Sequence, residues 1–144
     1  MHGWTGIILN VDLTSGRIWR QPIPEAMLHA YLGGRGLGVR LMRPYYHLDP
    51  FDSEIPLILA LGPLCGTPAP TTARLAVVSR SPLTGTITDC SVGGRFAWQL
   101  KGCAVDAVVI SGKSPKPVIL SITPAAAELL PADTLWGKGT HETC

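Results

Sequence analysis

Charge is scarce in this 144-residue sequence: Asp, Glu, Lys and Arg make up 15% of it, against about 25% in an ordinary soluble domain. The 12 basic and 10 acidic residues nearly cancel and are dispersed along the chain. A protein that follows a nucleic-acid backbone needs a basic stripe, so DNA and RNA are excluded as partners. Long apolar runs are missing too. The longest, Ile55 to Leu61, contains Pro56 and stops at Gly62, well short of the roughly 18 residues of a membrane span. Met1-His2-Gly3-Trp4 carries neither the basic nor the apolar region of a signal peptide, which points to the cytoplasm. Closely spaced cysteines are also absent. Cys65, Cys90, Cys103 and Cys144 stand 25, 13 and 41 positions apart, which matches neither a zinc pair nor an iron–sulfur run. The first three are expected to be reduced, buried thiols.

What the sequence does hold is apolar residues, at 46%, with 16 Gly and 13 Pro. That is enough for a single domain with its own core. Few charges and many turn formers describe a backbone that bends closely around something, or a surface covered by further protein.

Ile7, Leu9, Val11 and Leu13 alternate with their neighbours, and Thr14-Ser15-Gly16 leads into a second run from Arg17 to Ile23. This predicts a hairpin in which Gly16 supplies the positive φ of a short loop. Pro24 can begin a helix carrying Met27, Leu28, Tyr31 and Leu32, with Gly33 as its left-handed stop. A further helix is predicted around Leu37, Leu41 and Met42, ended by Pro44, followed by a polar loop to Ser53. Strands are predicted over 57–61, 74–79 and 86–90, with a stiff proline-rich turn over 62–70 and a turn at Ser81-Pro82-Leu83-Thr84-Gly85. Phe96 and Leu100 lie one helical turn apart and predict a helix of about two turns. The apolar runs 106–111 and 118–122 read as a second hairpin joined through Gly112 to Pro117. The pattern is α+β.

Two familiar motifs fail on spacing. Gly34, Gly36 and Gly38 give G-x-G-x-G after a helix, unlike the dinucleotide fingerprint, which needs G-x-G-x-x-G after a strand. Gly112-Lys113-Ser114 lacks the earlier glycine of a phosphate-binding loop and is followed by Pro115. His2, His29, His47 and His141 are scattered singly, and Asp89 beside Cys90 would raise rather than lower that thiol's pKa. The candidate that remains is Ser91-Val92-Gly93-Gly94 at the mouth of the predicted helix. Small residues at a helix start expose N–H groups and a partial positive charge, which suits a phosphate. The same residues are also those of a serine N-cap with glycines for tight packing. Arg74 could fork onto a phosphate or be a plain surface arginine. Arg35, among glycines, could reach into a cleft or cap the preceding helix.

Taken as a set, Gly3-Trp4-Thr5-Gly6, Asn10 to Gly16, Tyr31 to Gly38, Gly62 to Pro70, Ser81 to Gly85 and Leu135 to Thr140 closely resemble the N-terminal domain of the tungsten-containing aldehyde ferredoxin oxidoreductases, over residues 3 to about 143. The resemblance implies an α+β fold of two β-sheets with a few short helices, a base on which a bis-pterin tungsten or molybdenum cofactor lies. It implies an enzyme that oxidises aldehydes to carboxylates and passes two electrons through a [4Fe–4S] cluster to ferredoxin. Cofactor contacts then fall on Arg74, Ser91, Val92, Gly93 and Gly94. Where the family often has an Asn whose carbonyl holds a Mg ion bridging the pterin phosphates, this sequence has Ser91. The second pterin segment and the cluster cysteines are not in it, and Cys144 ends the sequence inside an expected helix. Residues 1–144 are therefore expected to be a truncated pterin-binding base, from a shortened gene, a split subunit or a cut chain, inactive alone. Its partners would be the remaining domains or a second subunit, with exposed apolar surface also favouring a homodimer. The alternative is a noncatalytic assembly or protein-interaction module that keeps the fold.

Overall fold

A computed structural model of the chain describes residues 3–143; His2 and Cys144, singled out above, lie outside the described residues. Strand β1 (Ile7–Asp12) and strand β2 (Arg17–Pro22) form the predicted hairpin, with Gly16 at φ +70° in its loop. Helices α1 (Glu25–Tyr31) and α2 (Gly34–Met42) follow, then a 3-10 turn over Arg43–Tyr45 in which Pro44 closes off the helical run. Strands β3 (Leu57–Leu61), β4 (Arg74–Arg80) and β5 (Ile87–Gly93) form an antiparallel meander, helix α3 (Arg95–Gly102) leads to strand β6 (Ala107–Ser111), and strands β7 (Val118–Ile122) and β8 (Ala127–Pro131) precede a short helix α4 (Thr140–Thr143).

Six strands make one sheet in the order β2-β1-β6-β3-β4-β5, and β7 with β8 makes a second. Two sheets with short helices are what the resemblance implies. The expected hairpin between 106–111 and 118–122 does not form. Strand β6 instead inserts between β1, parallel, and β3, antiparallel, while β7 turns back on β8. The reason is burial: Ala107, Val108 and Val109 are buried on both faces of the sheet, and only a central position covers both.

One face of the large sheet packs under α1 and α2, with Ile8, Leu28, Leu37, Met42, Ile58 and Val78 in the contact. The other face carries Leu9, Val11, Leu61, Leu75 and Val108 under Leu100 of α3 and, at its margin, Leu120 and Leu129 of the small sheet. Within α3 the buried residues are Ala97 and Leu100, whereas Phe96 is exposed. The expected stop at Gly33 is displaced by one residue. Leu32 takes the positive φ, +60°, and Gly33, at φ +153°, lies so close to β3 that a Cβ there would sit 2.5 Å from the Leu61 carbonyl oxygen. Gly33 is thus a glycine of close approach, which the helix pattern cannot distinguish from a stop. Among the described residues no helix is long and apolar enough to cross a membrane.

Candidate functional site

The β4–β5 register brings the candidate residues together. Arg74 lies opposite Gly93, Leu75 opposite Val92, and Ala76 opposite Ser91, so residues some twenty positions apart share one end of the sheet. Strand β5 runs through Gly93, which corrects the expected turn at Ser91-Val92-Gly93. These residues are strand, and the N-cap of α3 is Gly94 at φ +104°, which removes the serine-cap reading. Ser91, Val92, Gly93, Gly94 and Arg74 are all exposed. Because β5 is an edge strand, half of its backbone groups face away from β4 and stay free to bind.

Arg74 is held at its start by the proline-rich segment before it. Its N–H donates to the Thr72 carbonyl at 2.9 Å, and the Thr72 hydroxyl donates to the Ala69 carbonyl at 2.9 Å. That segment also rests on α3, since a Cβ at Gly66 would meet Lys101 Cγ at 3.1 Å. The loop that leads into the strand arginine is therefore packed against the C-terminal half of α3.

Helix α3 begins without a side-chain cap, with no acidic residue in its first turn and with Arg95 there instead. Its first N–H groups lack intrahelical partners and carry the positive end of the helix dipole. A Cβ added at Gly93 or Gly94 would meet nothing within 4 Å, so the space on the side-chain side of both glycines is open. An exposed arginine, the amides of a helix start and open space fit a phosphate group, and thus fit the phosphate arm of a pterin cofactor.

Helix α2 starts at the same end of the sheet, on the opposite face, and does so in the same manner. Gly33-Gly34-Arg35 stands at the start of α2 and Gly93-Gly94-Arg95 at that of α3, the N-cap being the first glycine in one and the second in the other, with no side-chain cap in either. This recurring tripeptide is a signal in the sequence, hidden because its context is two different helix starts. Arg35 neither enters a cleft nor caps carbonyls. Its Nε donates to Asp89 Oδ2 of β5 at 2.7 Å.

The cysteines divide unexpectedly. Cys65 and Cys103 are buried, but Cys90, expected to be buried, is exposed on the edge strand. Burial pushes the Cys65 thiol up in pKa, against a smaller lowering by the Lys101 ammonium. Among the described residues, no three His, Cys, Asp or Glu side chains gather where they could hold a metal ion. An apolar cavity of about 710 Å³ lies beyond the site, between α3 and β7, lined by Leu59, Phe96, Leu100, Ile110, Leu120 and Ile122 among others.

A family model described as aldehyde ferredoxin oxidoreductase, N-terminal domain, matches residues 8–144. The chain is 41% identical, over 99% of its length, to the tungsten-containing aldehyde ferredoxin oxidoreductase of Pyrococcus abyssi, and it covers 24% of that protein. It is 30% identical to the WOR-like subunit of an aliphatic sulfonate oxidoreductase of Pyrococcus furiosus, covering 23% of it. A solved structure, the active-site complex BamBC of benzoyl coenzyme A reductase with 1,5-dienoyl-CoA, superposes with a TM-score of 0.94 at 38% identity, over 99% of this chain and 22% of the other. The chain spans about a quarter of the length of these relatives.

Proposed function

Because the chain belongs to the aldehyde ferredoxin oxidoreductase N-terminal domain family, we propose that residues 1–144 form the base on which an oxidoreductase of this type seats its metal cofactor. Tungsten is in the name of relatives about 40% identical over nearly the whole chain. The cofactor we assign is a bis-pterin complex of tungsten or molybdenum. The observation that carries this reading is the Arg74–Gly93 register, which pairs an exposed arginine with the residue next to the uncapped helix start at Gly94.

Arg74 would pair with a pterin phosphate, and the Gly93 and Gly94 amides would hold its oxygens, with Val92 and Ser91 continuing the wall. The Ser91 backbone carbonyl is assigned to a Mg ion bridging two such phosphates; a carbonyl ligand is indifferent to the side chain, so serine serves there. When bound, the metal supplies two-electron redox chemistry, and this chain's part is to bind and orient. The parent reaction we infer is oxidation of an aldehyde to a carboxylate, with electrons leaving through a [4Fe–4S] cluster to ferredoxin. The cluster ligands and most substrate contacts then belong to further domains or a second subunit, in a cytoplasmic enzyme.

The test is metal and pterin content. In the assembled oxidoreductase, Arg74→Ala is expected to lower tungsten and pterin per protomer about tenfold, the loss of one charge-assisted phosphate contact, measured by mass spectrometry of the metal and fluorescence of the oxidised pterin. Unchanged content in a folded variant would sink the assignment.

A further inference from the structure

We propose that Arg35 is a positioning residue for the phosphate cradle: by pairing with Asp89 it keeps that acid's charge from repelling an anion at Gly93 and Gly94. The inference rests on the cradle reading above and adds a residue that takes no part in the assigned contacts.

Residues opposite one another in the β4–β5 register share a face, so Arg74, Ala76 and Val78 lie on the same face as Gly93, Ser91 and Asp89. That face packs under α2, from whose first turn Arg35 reaches Asp89. Strand rise puts Asp89 about 7 Å from Ser91 and about 13 Å from Gly93 along β5. Across α2, β4, β5 and α3, the four elements that meet here, Asp89 is the single acidic residue, against Arg35, Arg40, Arg74, Arg80, Arg95 and Lys101. An acid on the binding face is a defect in an anion site unless it is neutralised. The Arg35 side chain is 69% exposed and that of Asp89 22% exposed, so the pair adds little to stability, and its consequence is the charge that it removes. Arg35 lies at the start of its helix, where a cation opposes the dipole; the Asp89 contact compensates this placement.

The full 144-residue chain is titrated with inorganic phosphate at constant ionic strength, following the amide NMR signals of Gly93 and Gly94. At low ionic strength, Arg35→Gln is expected to weaken binding about two- to tenfold, the effect of one uncompensated charge at roughly 13 Å. Asp89→Asn is expected to tighten it about threefold, and the double variant R35Q/D89N to return to within about twofold of the original chain. Arg35→Lys, which keeps the charge, is expected to bind like the original. Tightening by D89N and rescue by the double variant are outcomes that a purely structural role would not produce. A double variant as weak as R35Q, or a D89N variant that binds less well, overturns the proposal while leaving the cradle intact. Gly93 and Gly94 signals unmoved by phosphate in the original chain overturn the cradle reading, and this inference with it.

Discussion

Among the described residues Asp106 is the only fully buried charged one, and three parts of the chain depend on it. Its Oδ2 accepts from the Thr5 amide at 2.9 Å and the Gly6 amide at 2.6 Å, and its Oδ1 pairs with Lys101 of α3. The segment before β1, the end of α3 and the start of β6 are thereby tied at one atom group. Removing one partner of such a pair strands the other charge without water. Asp106→Ala is expected to cost about 3–5 kcal/mol, read as a fall in the chemical-denaturation midpoint. Thiol chemistry is decided at the same scale. Of the three cysteines among the described residues, Cys90 is exposed while Cys65 and Cys103 are buried, and burial keeps the Cys65 thiol protonated to higher pH. Iodoacetamide is therefore expected to label Cys90 in the native chain and the other two only after unfolding, as peptide mass spectrometry would record. The sequence reading of Cys90 failed because an apolar residue on an edge strand looks the same as one in a central strand.

Elements were legible where a local rule acts alone. Strand β3 falls on residues 57–61 as its apolar run predicts, and the β1–β2 loop turns at Gly16. Partnership was not legible for β6, because a hairpin is the shortest connection and nothing local announces that β1 offers a longer-range edge. Strand β8, with Pro131 at its end, was missed since Ala127-Glu128-Leu129-Leu130 alternates weakly. The candidate site was readable as residue types, Arg74 with Ser91 to Gly94, but its assembly depends on register, and Arg35–Asp89 depends on how a helix lies over a strand. The link between α1 and α2 offers an element-scale test. Gly33→Ala would press a Cβ against the Leu61 carbonyl at 2.5 Å in a backbone conformation that favours glycine. A loss of about 2–3 kcal/mol in unfolding free energy is expected, with α2 displaced from the β3 end.

At the scale of the molecule, the large sheet has one face covered by helices up to its exposed β5 edge and one face only partly covered. Helices α1 and α2 close the first. On the second, α3 and the small sheet leave the apolar cavity open between them, and Phe96 and Trp98 stand exposed on α3. Low charge and exposed apolar surface, which the composition had in common with a covered domain, have a location here. If these residues seat and orient the cofactor while the cluster and most substrate contacts belong to further domains, as proposed above, the chain by itself is expected to bind without turning over. Purified alone, it should show no aldehyde-dependent reduction of a viologen dye; measurable turnover would require a redox centre within these residues.

The parallel pairing of β1 with β6 also sets an order of events during synthesis. Ile8 finds Ala107 as its neighbour about 100 residues later, so the β1–β2 hairpin and the β3–β5 meander must wait as separate pieces until β6 emerges. At about 5–20 residues per second that wait lasts roughly 5–20 s, and contacts so distant in the chain are slow to close. The central strand is therefore the last of the large sheet to be made, and until it arrives the growing chain presents unpaired strand edges, the surfaces that chaperones shield.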